Sequence, residues 1–387
     1  MHDPDVRHLS QRSVRKARPR RRSRRGASRR GIRILILLAV VVVAGIAALF
    51  PRTASVDTTA RAAQIREVVR KEASKTQAEA RNVRAEGAGL SRAKQRDWFR
   101  QAGFGIFIHY GPSSALNART TKLWFRGITS KAFKTTAKRS FRPAPDAAEE
   151  WVRLAKAAGA KYLTVTVKHH DGFGLWDSKF TDWDVGPGHD LLRPLARACK
   201  REGIKLFFYY PLIDLHEPTF MHNWPAYDAF MRGQVRELLT RYGPVAGIWF
   251  DWPQGRPFAD WHLERLYRLV HALQPWALVA TNHHRRPLVG EDFQVFEGVF
   301  PGNPGPDGIV LPISSLPHET AMKVGTNWYY GGTPSGYKRA TILELLRKAA
   351  ARNTNLLFDV PPRPDGTFDK NVWAALSGIF AQAQDDG

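Results

Sequence analysis

From Arg96 onward the chain repeats one pattern: a short run of apolar, β-branched and aromatic residues, then a stretch with helical periodicity. The runs fall at Phe104 to Tyr110, Tyr162 to Val167, Ile204 to Tyr210, Val245 to Phe250, Ala277 to Thr281, Phe293 to Phe296, Val324 to Trp328 and Asn355 to Val360. Each is nearly continuous in apolarity rather than alternating, the pattern of a parallel strand buried on both faces. Helical stretches lie between several of them. Pro145 and Asp146 open one that ends at Gly159, Asp190 opens one that ends at Gly203, and others fit Ala226 to Tyr242, Phe258 to Leu273 and Ala340 to Arg352. Eight strands alternating with helices predict an α/β chain folded as a TIM-like (β/α)8 barrel. A doubly wound open sheet is the alternative, but no G-x-G-x-x-G follows the first strand.

Composition narrows the class. A chain of 387 residues, 43% hydrophobic and 24% charged, is too apolar for disorder and too polar for a multi-span membrane protein. Its single cysteine, Cys199, excludes an intramolecular disulfide framework and any cysteine-based zinc cluster. The net charge of +24 is unevenly placed. Residues 1–33 carry 13 Lys/Arg against two Asp, whereas the body from 96 onward carries 36 against 28. Basicity therefore belongs mainly to the tail, and a nucleic-acid partner is not expected for the body.

The arginine-rich tail, residues 1–33, is followed by seventeen uncharged residues, 34–50. As a helix these span about 25 Å, near the lower limit for crossing a bilayer. They predict a transmembrane signal anchor with the tail in the cytoplasm and everything after Phe50 periplasmic or extracellular. A cleaved signal peptide, giving a secreted protein, is the competing reading. Residues 51–95, rich in Ala, Arg, Glu and Gln, read as a helical or disordered spacer that offers no face to bury. Residues 96–387 are then the barrel domain.

In such a barrel the reactive groups stand at the C-terminal ends of the strands. Here the predicted strands end in His109, in Lys168-His169-His170-Asp171, in Tyr209-Tyr210, in Asp251, in Asn282-His283-His284, in Glu297 and in Asn327-Trp328. Carboxylates, imidazoles, an amide and aromatic faces suit an uncharged polyhydroxylated ligand, whose hydroxyls need donors and acceptors and whose C–H faces stack on indole. Adjacent histidines of an extended segment point to opposite sides, so His169 and His170 alone make no metal site. No metal or cofactor is expected.

The blocks FGIFIHYG (104–111), KYLTVTVKHHDGFGLWDS (161–178), GIWFDW (247–252), GEDFQVFE (290–297), LPHET with the following NWYY, and NTNLLFDVPPRPDGTF (353–368) occur in order over residues 96–375. In these blocks the chain resembles the α-L-fucosidases of glycoside hydrolase family 29. The resemblance implies a retaining exo-glycosidase that releases terminal fucose from a glycan or glycoconjugate and uses two carboxylates. It implies Asp251 as nucleophile and either Glu297 or Glu319 as acid/base, Glu297 preferred. It also implies His109, Trp124, His169, His170, Tyr209 and Trp328 as sugar-binding residues. Tyr110, Leu123 and the pair Arg285-Arg286 depart from the family pattern, which keeps a related α-L-galactoside, or a carbohydrate-binding protein with weak turnover, as alternatives. The family's C-terminal β-sandwich is not expected after the eighth strand.

Overall fold

The computed structural model describes residues 57–115, 135, 139–253, 257–305, 308–324, 327–331 and 337–385. The tail 1–33, the apolar run 34–50 and Trp124 lie outside the described residues. Among the described residues, no helix is long and apolar enough to cross a membrane.

Two helices, α1 (Thr58–Glu86) and α2 (Arg92–Arg100), precede β1 (Phe104–Ile108). There follow α3 (Ala147–Ala158), β2 (Tyr162–Thr166), α4 (Leu192–Glu202), β3 (Lys205–Pro211), α5 (Trp224–Arg241), β4 (Gly247–Asp251), α6 (Leu263–Leu273), β5 (Leu278–Asn282), β6 (Gln294–Glu297), β7 (His318–Met322), α7 (Arg339–Ala350), β8 (Asn355–Asp359), α8 (Lys370–Leu376) and α9 (Ile379–Asp385). The strands form one sheet in the order β5-β4-β3-β2-β1-β8-β7-β6, and every ladder in it is parallel. This is the expected (β/α)8 architecture. Glycines with positive φ, Gly159 at 82° and Gly203 at 72°, end α3 and α4 as read from the sequence.

The ring closes between β5 and β6 through side chains as well as backbone. Asp292 donates its N–H to the Val279 carbonyl at 2.7 Å, while the Asp292 and Glu291 carboxylates accept the N–H groups of Val279 and Thr281 at 3.1 and 2.9 Å. Two buried acids of the GEDFQVFE block thus replace rungs of the missing ladder.

Alternate residues of each strand divide between two cores. On β4, Ile248 and Phe250 face the helices, whereas Trp249 faces the barrel axis with Phe107, Phe207, Tyr209 and Leu357. The axis is tightly filled. A Cβ at Gly105 would stand 2.3 Å from the Tyr162 ring, so only glycine admits that tyrosine. Phe99 of α2 plugs the bottom, its ring centre 4.6 Å from that of Phe293 and 5.4 Å from that of Tyr162.

Three expectations need correction. The stretch 51–95 is not without a face to bury: α1 packs along α5, burying Ala62, Ile65, Ala80 and Val83. The seventh strand lies at His318–Met322 rather than Val324 to Trp328, because its inward Glu319 and its other polar residues, His318 and Thr320, break the apolar run. The helix read from Phe258 to Leu273 is interrupted. A 3-10 turn at Phe258–Trp261 ends at His262, whose φ of 46° prevents continuous α-helix before α6.

Candidate active site

Inward positions recur every second residue, so the last inward side chain of each strand stands at the mouth of the barrel. β3, β4, β5 and β6 present Tyr209, Asp251, Asn282 and Glu297, and His109 directly follows β1. The loop after β2 adds His169 and His170, and the loop after β7 adds Asn327, Trp328 and Tyr329. These residues, with Phe107, Trp249, Trp252, His284 and Ala321, line a cavity of about 220 Å³. That is below the ~300–1,000 Å³ usual for drug-sized ligands and suits a single sugar ring.

Register explains how the carboxylates meet. Asp251 and Asn282 are direct partners on β4 and β5, so their side chains rise at the same height. Asn282 Nδ2 donates to Asp251 Oδ1 at 2.9 Å and, across the β5–β6 gap, to Glu297 Oε2 at 2.5 Å. Laid end to end those bonds reach about 5.4 Å, an upper bound on the distance between the two oxygens. Retaining glycosidases hold their carboxyls ~5–5.5 Å apart and inverting ones ~6.5–9.5 Å.

Burial, followed by the negative charge of Glu297, pushes Asp251 up to about 7, so the two acids hold one proton between them near neutrality. Donors decide where the remaining charge rests. Asp251 accepts from Tyr209 Oη at 2.5 Å, from Asn282 and from the Trp252 N–H, whereas among the described residues Glu297 accepts from Asn282. An anion on Asp251 is therefore met by more donors than one on Glu297. Trp252 makes this possible at a cost: its φ of 54° is strained for an indole residue. The same turn brings its ring centre 4.9 Å from His170.

The histidines are neutral hydrogen-bonding groups. Burial holds His170 down to about 3 and pushes His109 and His169 well below the ordinary imidazole value. His169 Nε2 lies 3.3 Å from Tyr209 Oη, with the two rings stacked at 13°. His170 Nε2 stands 3.8 Å from Asp251 Oδ2. His109 stacks on Trp328 at 5.0 Å, and its Nδ1 bonds Asp359 Oδ1 at 2.7 Å. Among the described residues, no group of three His, Cys, Asp or Glu side chains is placed to hold a metal ion.

Seven of the nine expected site residues therefore converge: Asp251, Glu297, His109, His169, His170, Tyr209 and Trp328. Glu319 does not join them. It is the inward residue two positions below the cavity-lining Ala321, and it accepts from Tyr162 Oη at 2.6 Å and Trp249 Nε1 at 3.0 Å beneath the cavity floor. Trp124 is the ninth.

The comparison with known families comes down on one answer. The family model described as Alpha-L-fucosidase matches residues 70–382. The chain belongs to the α-L-fucosidase family, glycoside hydrolase family 29. It is 27% identical over 301 residues to alpha-L-fucosidase 1 of Arabidopsis thaliana, covering 72% of this chain and 57% of that one. It is 31% identical over 191 residues to the tissue alpha-L-fucosidase of Rattus norvegicus, covering 43% and 41%. The chain thus spans about half the length of the curated relatives it matches. Among solved structures, alpha-L-fucosidase isoenzyme 1 from Paenibacillus thiaminolyticus aligns with a TM-score of 0.65 at 30% identity over 76% of both chains. The alpha-L-fucosidase AlfC from Lactobacillus casei, in complex with its α-L-fucose product, aligns at 0.62 and 25% identity over 76% of this chain and 99% of that one.

Asn282 was read from the sequence as a strand-end amide but not as the bridge, and Trp252 and Tyr329 on the cavity wall and Asp359 behind His109 were not singled out. Parity along the strands signals two of them, since Asn282 and Asp359 each stand two residues beyond an inward apolar side chain, Ala280 and Leu357.

Proposed function

We propose that this chain is a retaining α-L-fucosidase that removes terminal α-L-fucose from a glycan or glycoconjugate. The observation that carries the reading is the Asp251–Glu297 pair, bridged by one amide on the wall of a cavity the size of a sugar ring. Asp251 attacks the anomeric carbon. The glycosidic C–O bond breaks, its electron pair leaves on the aglycone oxygen, and Glu297 protonates that oxygen. Glu297, now a carboxylate, takes a proton from water as the water oxygen attacks the same carbon, and the ester to Asp251 breaks. His109, His169 and His170 bond the sugar hydroxyls, while Trp328 offers an apolar face.

The arginine-rich residues 1–33 followed by the uncharged run 34–50 support delivery of the enzyme beyond a membrane, with that run as its anchor. Fractionation of expressing cells checks this: the anchor reading requires the activity to sediment with membranes and to resist high salt.

Nitrophenyl α-L-fucopyranoside is the test substrate for the reaction. Release of nitrophenol, with α-L-fucose as the first product seen by proton NMR, is the expected result. Absence of turnover, or β-L-fucose as the first product, removes the mechanism.

A further inference from the structure

We propose that α1 is part of the catalytic unit, with Arg61 as a positioning residue that locks the loops after β2 and β3 and so seats His169 and His170. The proposal rests on the fucosidase reading of the cavity.

Arg61 lies near the start of α1, beside the mouth of the barrel. Its Nη2 donates to the Phe180 carbonyl at 2.6 Å, in the loop after β2, and to Glu217 Oε2 at 2.6 Å, in the loop after β3; Nε reaches the same oxygen at 3.1 Å. One guanidinium therefore clamps the loop after β2, which carries His169 and His170, to the loop after β3. The ion pair is not an exposed one, since the Glu217 side chain is only 2% exposed and bridges further to Thr219 N and Oγ1 at 3.2 and 2.8 Å. Removing the cation leaves a buried carboxylate uncompensated.

From Glu217 the connection runs inward. The Glu217 N–H donates to Asp214 Oδ1 at 3.0 Å, and Asp214 Oδ2 accepts from Lys168 Nζ at 2.7 Å in a fully buried ion pair. Lys168 immediately precedes His169 and His170. The same loops are tied a second time, because Leu215 N–H donates to the His170 carbonyl at 2.9 Å. A planar fork that bonds two acceptors at once suits this clamp, whereas lysine offers one ammonium.

Steady-state kinetics of the full chain on nitrophenyl α-L-fucoside tests the clamp. Arg61→Ala is expected to raise KM about tenfold or more with a smaller fall in kcat, because misplaced histidines hold the sugar poorly. Arg61→Lys is expected to recover part of the loss. Val83→Ala, which trims the packing of α1 at its far end, lowers the thermal midpoint and leaves KM unchanged. An Arg61→Ala enzyme with wild-type KM overturns the proposal, as does an equal rise of KM in Val83→Ala. Should Arg61→Ala not fold, Glu217→Gln breaks the same ion pair, and an unchanged KM there overturns it too. Failure of the wild type to hydrolyse the fucoside strikes the functional reading instead. The clamp is then read from imidazole 1H–15N spectra, in which Arg61→Ala must move the His169 and His170 signals and Val83→Ala must not.

Discussion

Asp251 and Glu297, forty-six positions apart on β4 and β6, accept hydrogen bonds from a single nitrogen, Nδ2 of Asn282. Shared donation fixes their spacing and divides their roles, because Tyr209 and the Trp252 N–H favour charge on Asp251 alone. Asp251→Gly is therefore expected to lose about 10⁴-fold or more in kcat. Azide should restore turnover in that variant and yield the β-fucosyl azide, since the anion enters from the vacated face. Glu297→Ala should lose about 10²–10⁴-fold on substrates whose leaving group needs a proton and far less on dinitrophenyl fucoside. Azide there should give the α-azide. Exchanged product anomers would reverse the two assignments.

The same bridge sets the pH dependence. With Asp251 raised to about 7 by burial and by Glu297, the singly protonated pair is lost above neutrality, and kcat/KM should fall on the alkaline side near pH 7. Asn282→Ala removes a donor to both carboxylates. Losing hydrogen bonds to a charged form raises its pKa, so the alkaline limb should move to higher pH while the maximal rate falls. A pH–rate profile for both enzymes measures this, and an unmoved limb would mean that Asn282 does not govern the shared proton.

Most of the barrel was legible because strands covered on both faces must be apolar whatever their neighbours. The rule fails where an inward position is polar. β7 carries the inward Glu319 in a five-residue strand that ends at Met322, before the apolar-looking run from Val324 begins. The docking of α1 was hidden for another reason. Its buried stripe is sparse, and its hold on the barrel comes from Arg61, Glu72 and Glu79, whose partners Glu217, Arg241 and Thr240 lie more than 150 residues away. Asp251 and Glu297 showed as acids after apolar runs. Asn282 and Asp359 acquire meaning only through the strand register that places them beside Asp251 and His109.

His109 and Asp359 form a buried pair whose proton state determines what the sugar meets. Burial pushes His109 down and Asp359 up, and among the described residues Asp359 Oδ2 has no hydrogen-bond partner, as suits a neutral carboxyl. The acid proton then sits between Oδ1 and Nδ1 and leaves Nε2–H as a donor into the cavity. Asparagine preserves this arrangement by donating its amide N–H to Nδ1. Asp359→Asn should therefore keep KM for the fucoside within about threefold, and Asp359→Ala should raise it by about 5–150-fold, the equivalent of one unsatisfied buried group. Equal damage from both would place a carboxylate anion there instead.

Glu319 provides the sharpest separation of acid/base chemistry from structural support. Burial pushes it up to about 7 from an ordinary 4.5, and it lies below the floor of the cavity, bonded to Tyr162 and to the cavity-lining Trp249. Because the folded-state value is the higher one, its contribution to stability is fully present below about pH 4.5. It is lost as pH rises through about 7, at roughly 1.4 kcal/mol per pH unit for one proton. Glu319→Gln carries no such proton. The stability difference between wild type and Glu319→Gln should decline by on the order of 3 kcal/mol between pH 4.5 and 7, measured by urea unfolding at each pH. The glutamine keeps an oxygen for one of the two donors and the volume under Trp249, so kcat should stay within about tenfold of wild type. A loss of about 10²–10⁴-fold, confined to substrates with poor leaving groups and rescued by azide, would instead make Glu319 the proton donor.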